Sequence, residues 1–303
     1  MLDFRLVTFL TAAREGNFTK AGELLGLTQP AVTQHIHHLE ELFGAQLFEK
    51  SGRGVQLTQA GEFLQHEGEI LAVHSRQIRK ELLNFEGGRR FFSLGATLTV
   101  GEFLLPQYLA RYKRGHEKRE LNVTIENTLR CLELLQKGKI DLAVIEGPFD
   151  SSRFLHEPFL FDELLFVTAS DGPWARESVI HEENINTYPL VLRERGSGTR
   201  EHFEQFLGRL GLHIDEGSVV MEVGSLSAIK VLCESGLGCS VMSRHAVERE
   251  LLLGSLSAIP FSSGTLERQI TFVYTEHSPM PFVGEFIGFC RDMHAELTEA
   301  TFD

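Results

Sequence analysis

Two sets of side chains in this chain of 303 residues are suited to chemistry. The first is Thr28, Gln29, Pro30, Thr33, Gln34 and His38, gathered in one short stretch. A Gln amide donates and accepts, as an adenine edge requires, and Thr presents both a methyl and a hydroxyl to a duplex groove. The second set lies in three segments, Thr97-Leu98-Thr99, Gly196-Ser197-Gly198-Thr199 and Gly224-Ser225. Each falls where an expected strand gives way to an expected helix. A helix start offers unpaired N–H groups and partial positive charge, hydroxyls add donors, and glycine lets the backbone approach closely. Each start alone is an ordinary helix cap. Three around one cleft would make a site for a small anion, with Thr97, Thr99, Ser197, Gly198, Thr199, Arg200 and Ser225 as its ligands. Glu146, at a strand end facing the same cleft, would accept from a protonated or hydroxylated ligand or pair with an arginine.

The elements that position the first set read clearly. A helix is expected from Asp3 to Ala13, with Phe4, Val7, Phe9, Leu10 and Ala13 apolar and Gly16 ending it. Asn17 caps a second helix, Phe18 to Leu25, with Ala21, Leu24 and Leu25 inward and Gly22 at a close approach. Gly26 ends that helix and Leu27 plugs the turn. Thr28 caps a third helix with Pro30 in its first turn. Val32, Ile36, Leu39, Leu42 and Phe43 form its buried stripe, leaving Gln29, Thr33, Gln34 and His38 outward. Two helices joined by a tight turn, the second polar on its outer face, suit the major groove. Residues 47–57 read as two short strands around a glycine tip, a wing carrying Arg53 towards phosphate or minor groove. Thr58 caps a long helix to about Glu86, in which Leu64, Leu71, Ile78 and Phe85 recur every seven residues. Phe63, Ile70 and Leu82 widen that stripe into a coiled-coil seam, interrupted near Glu67 and His74. A dimer through it would present two recognition helices to two half-sites.

Bulk properties narrow the class. The composition is 42% hydrophobic with a net charge of −13, so the chain is globular. Residues 1–58 carry five basic and six acidic side chains, and the remaining residues hold a net −12. A dense phosphate-binding stripe is therefore absent. No apolar run is long enough to span a bilayer, and the start, Met1-Leu2-Asp3-Phe4-Arg5, lacks the pattern of a secretory leader; a cytoplasmic location is expected. Cys131, Cys233, Cys239 and Cys290 form no CxxC pair and read as reduced thiols. Cys233 and Cys239 offer a rival redox trigger, but their apolar neighbours favour inert thiols. His35, His37 and His38 lack the companions a zinc site needs, so no metal or cofactor is expected. The GSGTR loop matches neither a Walker loop nor GxGxxG. No catalytic constellation can be assembled, which disfavours an enzyme. The alternative from another class is an enzyme or ligand-binding protein built on the two-lobed domain.

The stretch AGELLGLTQPAVTQHIHHLEELFGAQLFEKSGRGVQLTQAG resembles the DNA-binding segment of the LysR-type transcriptional regulators. The likeness runs the length of the chain through LGATLTVGEFLLPQYLARY, DLAVIEGP, LRERGSGTR and SLSAIKVLCESGLGCSVMSRHAV. The EGP and GSGTR elements resemble a subgroup containing regulators of carbon fixation and sulfur assimilation. The resemblance implies a dimer of dimers acting on promoter DNA, with contacts from Gln29, Pro30, Thr33, Gln34 and Arg53 and a functional link to RNA polymerase. Gln34 stands where the family commonly has Arg, His37-His38 where basic residues are usual, and Lys50 in place of a common Arg. Modest non-specific affinity follows, with operator binding that strengthens as pH falls and the histidines protonate.

The expected fold class is α/β with a helical winged helix-turn-helix at the N-terminus. It divides into the DNA-binding module at 1–58, a linker and dimerisation helix at 59–88, and an effector domain at 89–303 of two Rossmann-like lobes resembling periplasmic binding proteins. Strand–helix alternation after Gly87-Gly88-Arg89-Arg90 argues for a parallel sheet with covering helices. Crossovers near Val167 and Glu267 would divide lobe I (89–166 and 267–303) from lobe II (167–266), with the ligand between them. Sulfite, sulfate, phosphorylated metabolites and small carboxylates all fit such a cleft, and the subgroup likeness favours sulfur oxyanions. Ligand binding would close the lobes and reset the spacing of recognition-helix pairs.

Overall fold

The computed structural model describes residues 2–51, 54–87 and 90–299, and within the long helix the side chains at 77, 80, 81 and 83–87 lie outside the description. The chain divides into two units, residues 1–87 and 88–303.

The first unit opens with α1 (Phe4–Glu15), α2 (Phe18–Leu25) and α3 (Gln29–Phe43), followed by β1 (Phe48–Ser51), β2 (Gly54–Leu57) and α4 (Gln59–Gly87). Local chemistry sets each helix start. Asn17 Oδ1 accepts from the amides of Thr19 (2.8 Å) and Lys20 (3.1 Å), and Thr28 Oγ1 accepts from Ala31 N–H (3.4 Å). Thr58 Oγ1 accepts from Gly61 N–H at 3.1 Å to begin α4. Phe9, Leu10, Ala12, Ala21, Val32, Ile36, Leu39, Leu47 and Ala72 form the shared core. At Gly22 the turn comes so close that a Cβ would sit 2.7 Å from the Leu27 carbonyl oxygen. β1 and β2 pair antiparallel, with Ser51 opposite Gly54, and form the expected wing.

Several apolar positions depart from the expected stripes. Leu24, Leu42, Phe43 and Phe4 are exposed, Leu24 by 66%. The eight-residue α2 turns only Ala21 and Gly22 fully into the core, because one short helix has a single narrow buried face. The seam of α4 also splits in two. Among its described side chains Gly61, Gly68, Ala72 and Val73 are buried, and Leu64 packs partly on the core. Phe63, Leu71, Ile78 and Leu82 are exposed, Ile78 by 57%. The Phe85 side chain lies outside the described residues.

The second unit alternates strands and helices. β3 (Arg90–Ala96) leads through a π-helical turn (Val100–Leu104) into α5 (Leu105–Gly115), then β4 (Arg119–Ile125), α6 (Thr128–Gln136) and β5 (Leu142–Glu146). β6 (Leu155–Ala169) follows, then β7 (Leu190–Leu192), α7 (Gly198–Arg209), β8 (Val219–Glu222), α8 (Leu226–Glu234) and β9 (Ser240–Ser243). The sequence reading missed α9 (Arg244–Leu253) and β10 (Leu256–Ile259); β11 (Leu266–Tyr274) and α10 (Met280–Glu299) complete the unit.

The sheet is mixed, where a parallel one was expected. β3 pairs parallel with β4 and β5, and β7 with β8. β11 runs antiparallel to both β5 and β6, and β6 antiparallel to β9 and β10. The return strand reverses the sheet because it re-enters from the far lobe. β6 and β11 each run from one core into the other: Leu160 and Ile270 belong to the first and Leu164 and Leu266 to the second, while Val167 packs in a second-lobe core beyond the change. Separate cores lie to either side. One gathers β3, β5, α5 and α10 with Phe272 of β11, and the other gathers β7, α7 and Val241 of β9 with Leu164 of β6. Leu98 and Phe103, from the segment after β3, pack against a further second-lobe core.

The close contact at Gly22 gives a direct expectation. Gly22→Ala gains under about 1 kcal/mol of helix propensity. Overpacking against a backbone carbonyl costs about 1–3 kcal/mol. The variant is therefore expected to melt at lower temperature than the wild type, read as earlier loss of helical circular dichroism.

Candidate nucleic-acid interface and effector cleft

On α3, Gln29, Pro30, Thr33, Gln34 and His38 are exposed, as is the capping Thr28. Gln29 Nε2 donates to Thr33 Oγ1 at 3.0 Å, and Thr33 Oγ1 donates to the Gln29 carbonyl at 3.1 Å. Those bonds hold two of the polar side chains in one orientation. The three histidines separate. His35 Nδ1 is 2.9 Å from Thr8 Oγ1 and meets the Phe4 ring edge-on, so it serves the packing of α1 on α3. His37 sits 3.4 Å from Glu41. Lys50 is exposed on the wing, and Arg53 lies outside the described residues.

In the second unit the chemistry centres on a residue that sequence reasoning missed. Arg268 of β11 is buried and lies in register with Asp162 of β6. Its Nε donates to Asp162 Oδ2 at 2.8 Å, and Nη2 lies 2.7 Å from the same oxygen. Nη1 donates to Thr199 Oγ1 at 2.8 Å, and Nη2 to Thr99 Oγ1 at 3.4 Å. Glu146 Oε1 stands 3.6 Å from Nη1. Ser243 Oγ donates to Asp162 Oδ1 at 2.6 Å, and Thr97 Oγ1 donates to Glu146 Oε2. One guanidinium thus ties a hydroxyl from the segment after β3 to a hydroxyl on α7.

Backbone contacts bring these groups together. Thr97 N–H donates to Val144 O at 3.2 Å, which fixes the end of β3 against β5. At Gly198 a Cβ would lie 2.0 Å from the Glu146 carbonyl oxygen, so only glycine lets the start of α7 rest on the end of β5. Thr128 Oγ1 donates to that same carbonyl at 2.7 Å. Ser197 is buried at the start of α7 without a side-chain capping bond.

Two of the expected ligands are placed elsewhere. Arg200 donates to Glu204 (2.7 Å), to the Arg193 carbonyl (3.0 Å) and to Glu222, so its charge is spent beside β8. Ser225 is exposed and caps α8 through Ala228 N–H at 3.3 Å. Of the three helix starts, those at Thr97–Thr99 and Ser197–Thr199 meet at Arg268. The missed pair had a signal. Arg268 shares strand parity with buried Leu266 and Ile270, and Asp162 with Leu160 and Leu164. Charges on a core-facing parity need each other, because an unpaired buried charge is costly.

Burial pushes the Glu146 carboxyl above its ordinary range, with Arg268 pulling it back. Burial lowers His202 of α7, and Arg268 lowers it further. A cavity of about 290 Å³ opens beside Arg268, walled by Gly147, Phe149, His156, His202 and Thr271. Farther along the lobe contact, Lys230 Nζ lies 4.9 Å from the centre of the Phe103 ring and 2.8 Å from Glu250. All four cysteines are buried; burial raises Cys131 and Cys233 to about 12 and Cys239 to about 11, and raises Cys290 as well.

A winged helix-turn-helix and a two-lobed α/β domain define a DNA-binding regulator with a ligand-responsive domain. Residues 4–62 match the bacterial regulatory helix-turn-helix protein, lysR family, and residues 86–295 match the LysR substrate binding domain. The chain belongs to the LysR-type transcriptional regulators, a family of transcription factors. It is 31% identical over 272 residues to a probable RuBisCO transcriptional regulator of Cyanidioschyzon merolae, covering 88% of this chain and 89% of that protein. It is 29% identical over 278 residues to the HTH-type transcriptional regulator CysL of Bacillus subtilis strain 168, covering 91% and 90%. The relatives thus include carbon-fixation and sulfur-assimilation regulators. The fold also matches full-length CbnR, solved with its target DNA, at a TM-score of 0.63 and 16% identity over 96% of this chain and 99% of that one. No helix among the described residues is long and apolar enough to cross a membrane.

Two outcomes follow from this geometry. Arg268→Met leaves Asp162 buried without its cation and is expected to cost about 3–5 kcal/mol in denaturant unfolding. The thiols, held protonated by burial, are expected to react with Ellman's reagent near pH 8 only as the chain unfolds. Rapid labelling of native protein would show an accessible thiolate.

Proposed function

We propose that this regulator reads operator DNA with the exposed face of α3 and responds to a small anion bound at the Arg268 cluster. Gln29, Pro30, Thr33, Gln34 and His38 address base edges and phosphates, Thr28 caps their helix, and Arg53, which lies outside the described residues, adds a phosphate or minor-groove contact. The anion is held by Thr97, Thr99, Ser197, Gly198 and Thr199 around Arg268, with Glu146 beside it. A sulfur oxyanion, a small carboxylate or a phosphorylated metabolite has the right size and charge. The observation that carries the effector reading is the bridge from Thr99 to Thr199 through one guanidinium. An anion arriving there competes for Arg268, loosens its hold on both hydroxyls and shifts the lobes between two packings.

The exposed row Leu71, Ile78 and Leu82 supports a homodimer through α4, since apolar side chains spaced along one helix seek a partner. Dimers pairing into a tetramer would give four recognition helices and offset the sparse basic charge of residues 1–58. The regulator works in the cytoplasm and acts through RNA polymerase at promoters.

The test is a mobility-shift and transcription assay on the intergenic DNA upstream of the protein's own gene. Gln34→Ala is expected to weaken operator binding by about 1–3 kcal/mol and relax preference at one base pair. Ile78→Glu is expected to shift the sedimenting species towards monomer and weaken operator binding. Thr99→Ala combined with Thr199→Ala is expected to leave DNA binding intact and abolish effector-dependent transcription; unchanged induction would displace the site from this cleft.

A further inference from the structure

The cleft that best suits an anion is, as built, short of positive charge. Arg268 is the cation of the cluster, and it faces two buried carboxylates, Asp162 and Glu146. The nearby Arg193 is already paired with Glu194 at 2.8 Å. With both carboxylates ionised the set holds one net negative charge, and an incoming anion would add a second in a desolvated site. That arrangement repels the ligand class that the hydroxyls and guanidinium would otherwise attract.

The two carboxylates are not equivalent. Asp162 takes two guanidinium nitrogens at 2.8 and 2.7 Å and the Ser243 hydroxyl at 2.6 Å, a set of donors that holds an ionised carboxylate. Glu146 has a distant approach to Nη1, at 3.6 Å, the Thr97 hydroxyl and its own backbone N–H, and no direct guanidinium bond of the kind Asp162 takes. The charged groups acting on Glu146 are Arg268 on β11, Asp162 on β6 and Arg193 after β7; the Cys131 thiol on α6 lies within reach of its charge, and His156 of β6 and His202 of α7 wall the cavity beside Arg268. Neither the thiol nor a neutral imidazole supplies positive charge. Glu146 is the group that can give up its charge at least cost.

We propose that the cleft binds an anion only when Glu146 is protonated, so that Glu146 sets the charge of the effector accepted. The inference rests on the anion reading of the cleft. Binding then draws at most one proton from solvent onto a Glu146 carboxyl oxygen. The cluster becomes neutral before the anion enters, and the new O–H is an added donor. As a carboxylate, Glu146 excludes anions and leaves room only for a neutral or cationic ligand.

The test is calorimetric titration of the full-length chain with inorganic sulfate and with glycolate, whose own charges are constant between about pH 6 and pH 9. Wild-type affinity is expected to fall at least about tenfold across that range, while Glu146→Gln binds within about threefold of wild type at the acid end and keeps that affinity at the alkaline end. Wild-type binding in HEPES and in Tris buffers near pH 8, neither of which is a small oxyanion, is expected to show proton uptake of up to one per anion; this measurement needs no variant. A ligand-free readout accompanies it. Glu146 holds its proton more tightly folded than unfolded, so its contribution to stability is full below the unfolded pKa and is lost as pH rises through the folded one. Glu146→Gln is expected to lose that decline. Binding with no proton uptake and no pH dependence would overturn the role of Glu146 while leaving the anion cleft in place. A folded Gln variant that loses about tenfold or more in affinity at the acid end would do the same. If neither anion binds either chain, the cleft reading falls and this inference with it.

Discussion

One ion pair organises the second unit. Arg268 and Asp162 face each other across β11 and β6, the two strands that run unbroken through both lobes. A charge at such a place must be compensated in a fixed geometry, so the pair sets where the lobes meet and which side chains can gather there. Thr99 and Thr199 accept from different nitrogens of the guanidinium, and Ser243 donates to the carboxylate. The close approach of α7 to β5 at Gly198 accompanies the placing of Thr199 against Arg268. A buried pair of this kind contributes more to specifying an arrangement than to net stability.

The same pair changes how ligand recognition should be understood. Free hydroxyls at two helix starts would form a passive cradle. Here both hydroxyls already accept from Arg268, so an anion bound as proposed would have to exchange partners with an internal cation. Such an exchange has two discrete outcomes, which is what a switch between two packings needs. The π-helical turn after Thr99 and the Phe103–Lys230 contact carry the same segment onto second-lobe helices. A change at Thr99 is therefore felt at a second point of the lobe contact.

The first unit follows a different logic, in which local rules are nearly sufficient. Its helices are short, each start has a side-chain cap, and the turn after α2 is closed by glycine in the left-handed region at Gly26. A small core of Phe9, Val32, Ile36 and Leu39 then leaves the polar half of α3 in solvent. The net −1 of residues 1–58 leaves this unit without a dense phosphate-binding stripe. Leu71, Ile78 and Leu82 of α4 remain exposed, Ile78 and Leu82 beside Leu2, Val7 and Leu10 of the same unit.

Sequence alone determined what nearest neighbours and periodicity control. The capped helices, the wing, the glycine at Gly22, the alternating strands and helices, and the hydroxyls at Thr99 and Thr199 were all legible, because each depends on residues close in the chain or on a repeating face. Inward and outward positions on α2 and on the seam of α4 were only half legible, since burial depends on which neighbour covers a face. Tertiary structure alone decided the rest. Arg268 and Asp162 lie 106 positions apart and gain meaning only when two strands pair in register. Arg200 looked like a ligand by position and was taken by Glu204 and Glu222, and Ser225 by its own helix. Long-range pairing chooses among chemically equivalent side chains, and no local pattern records that choice.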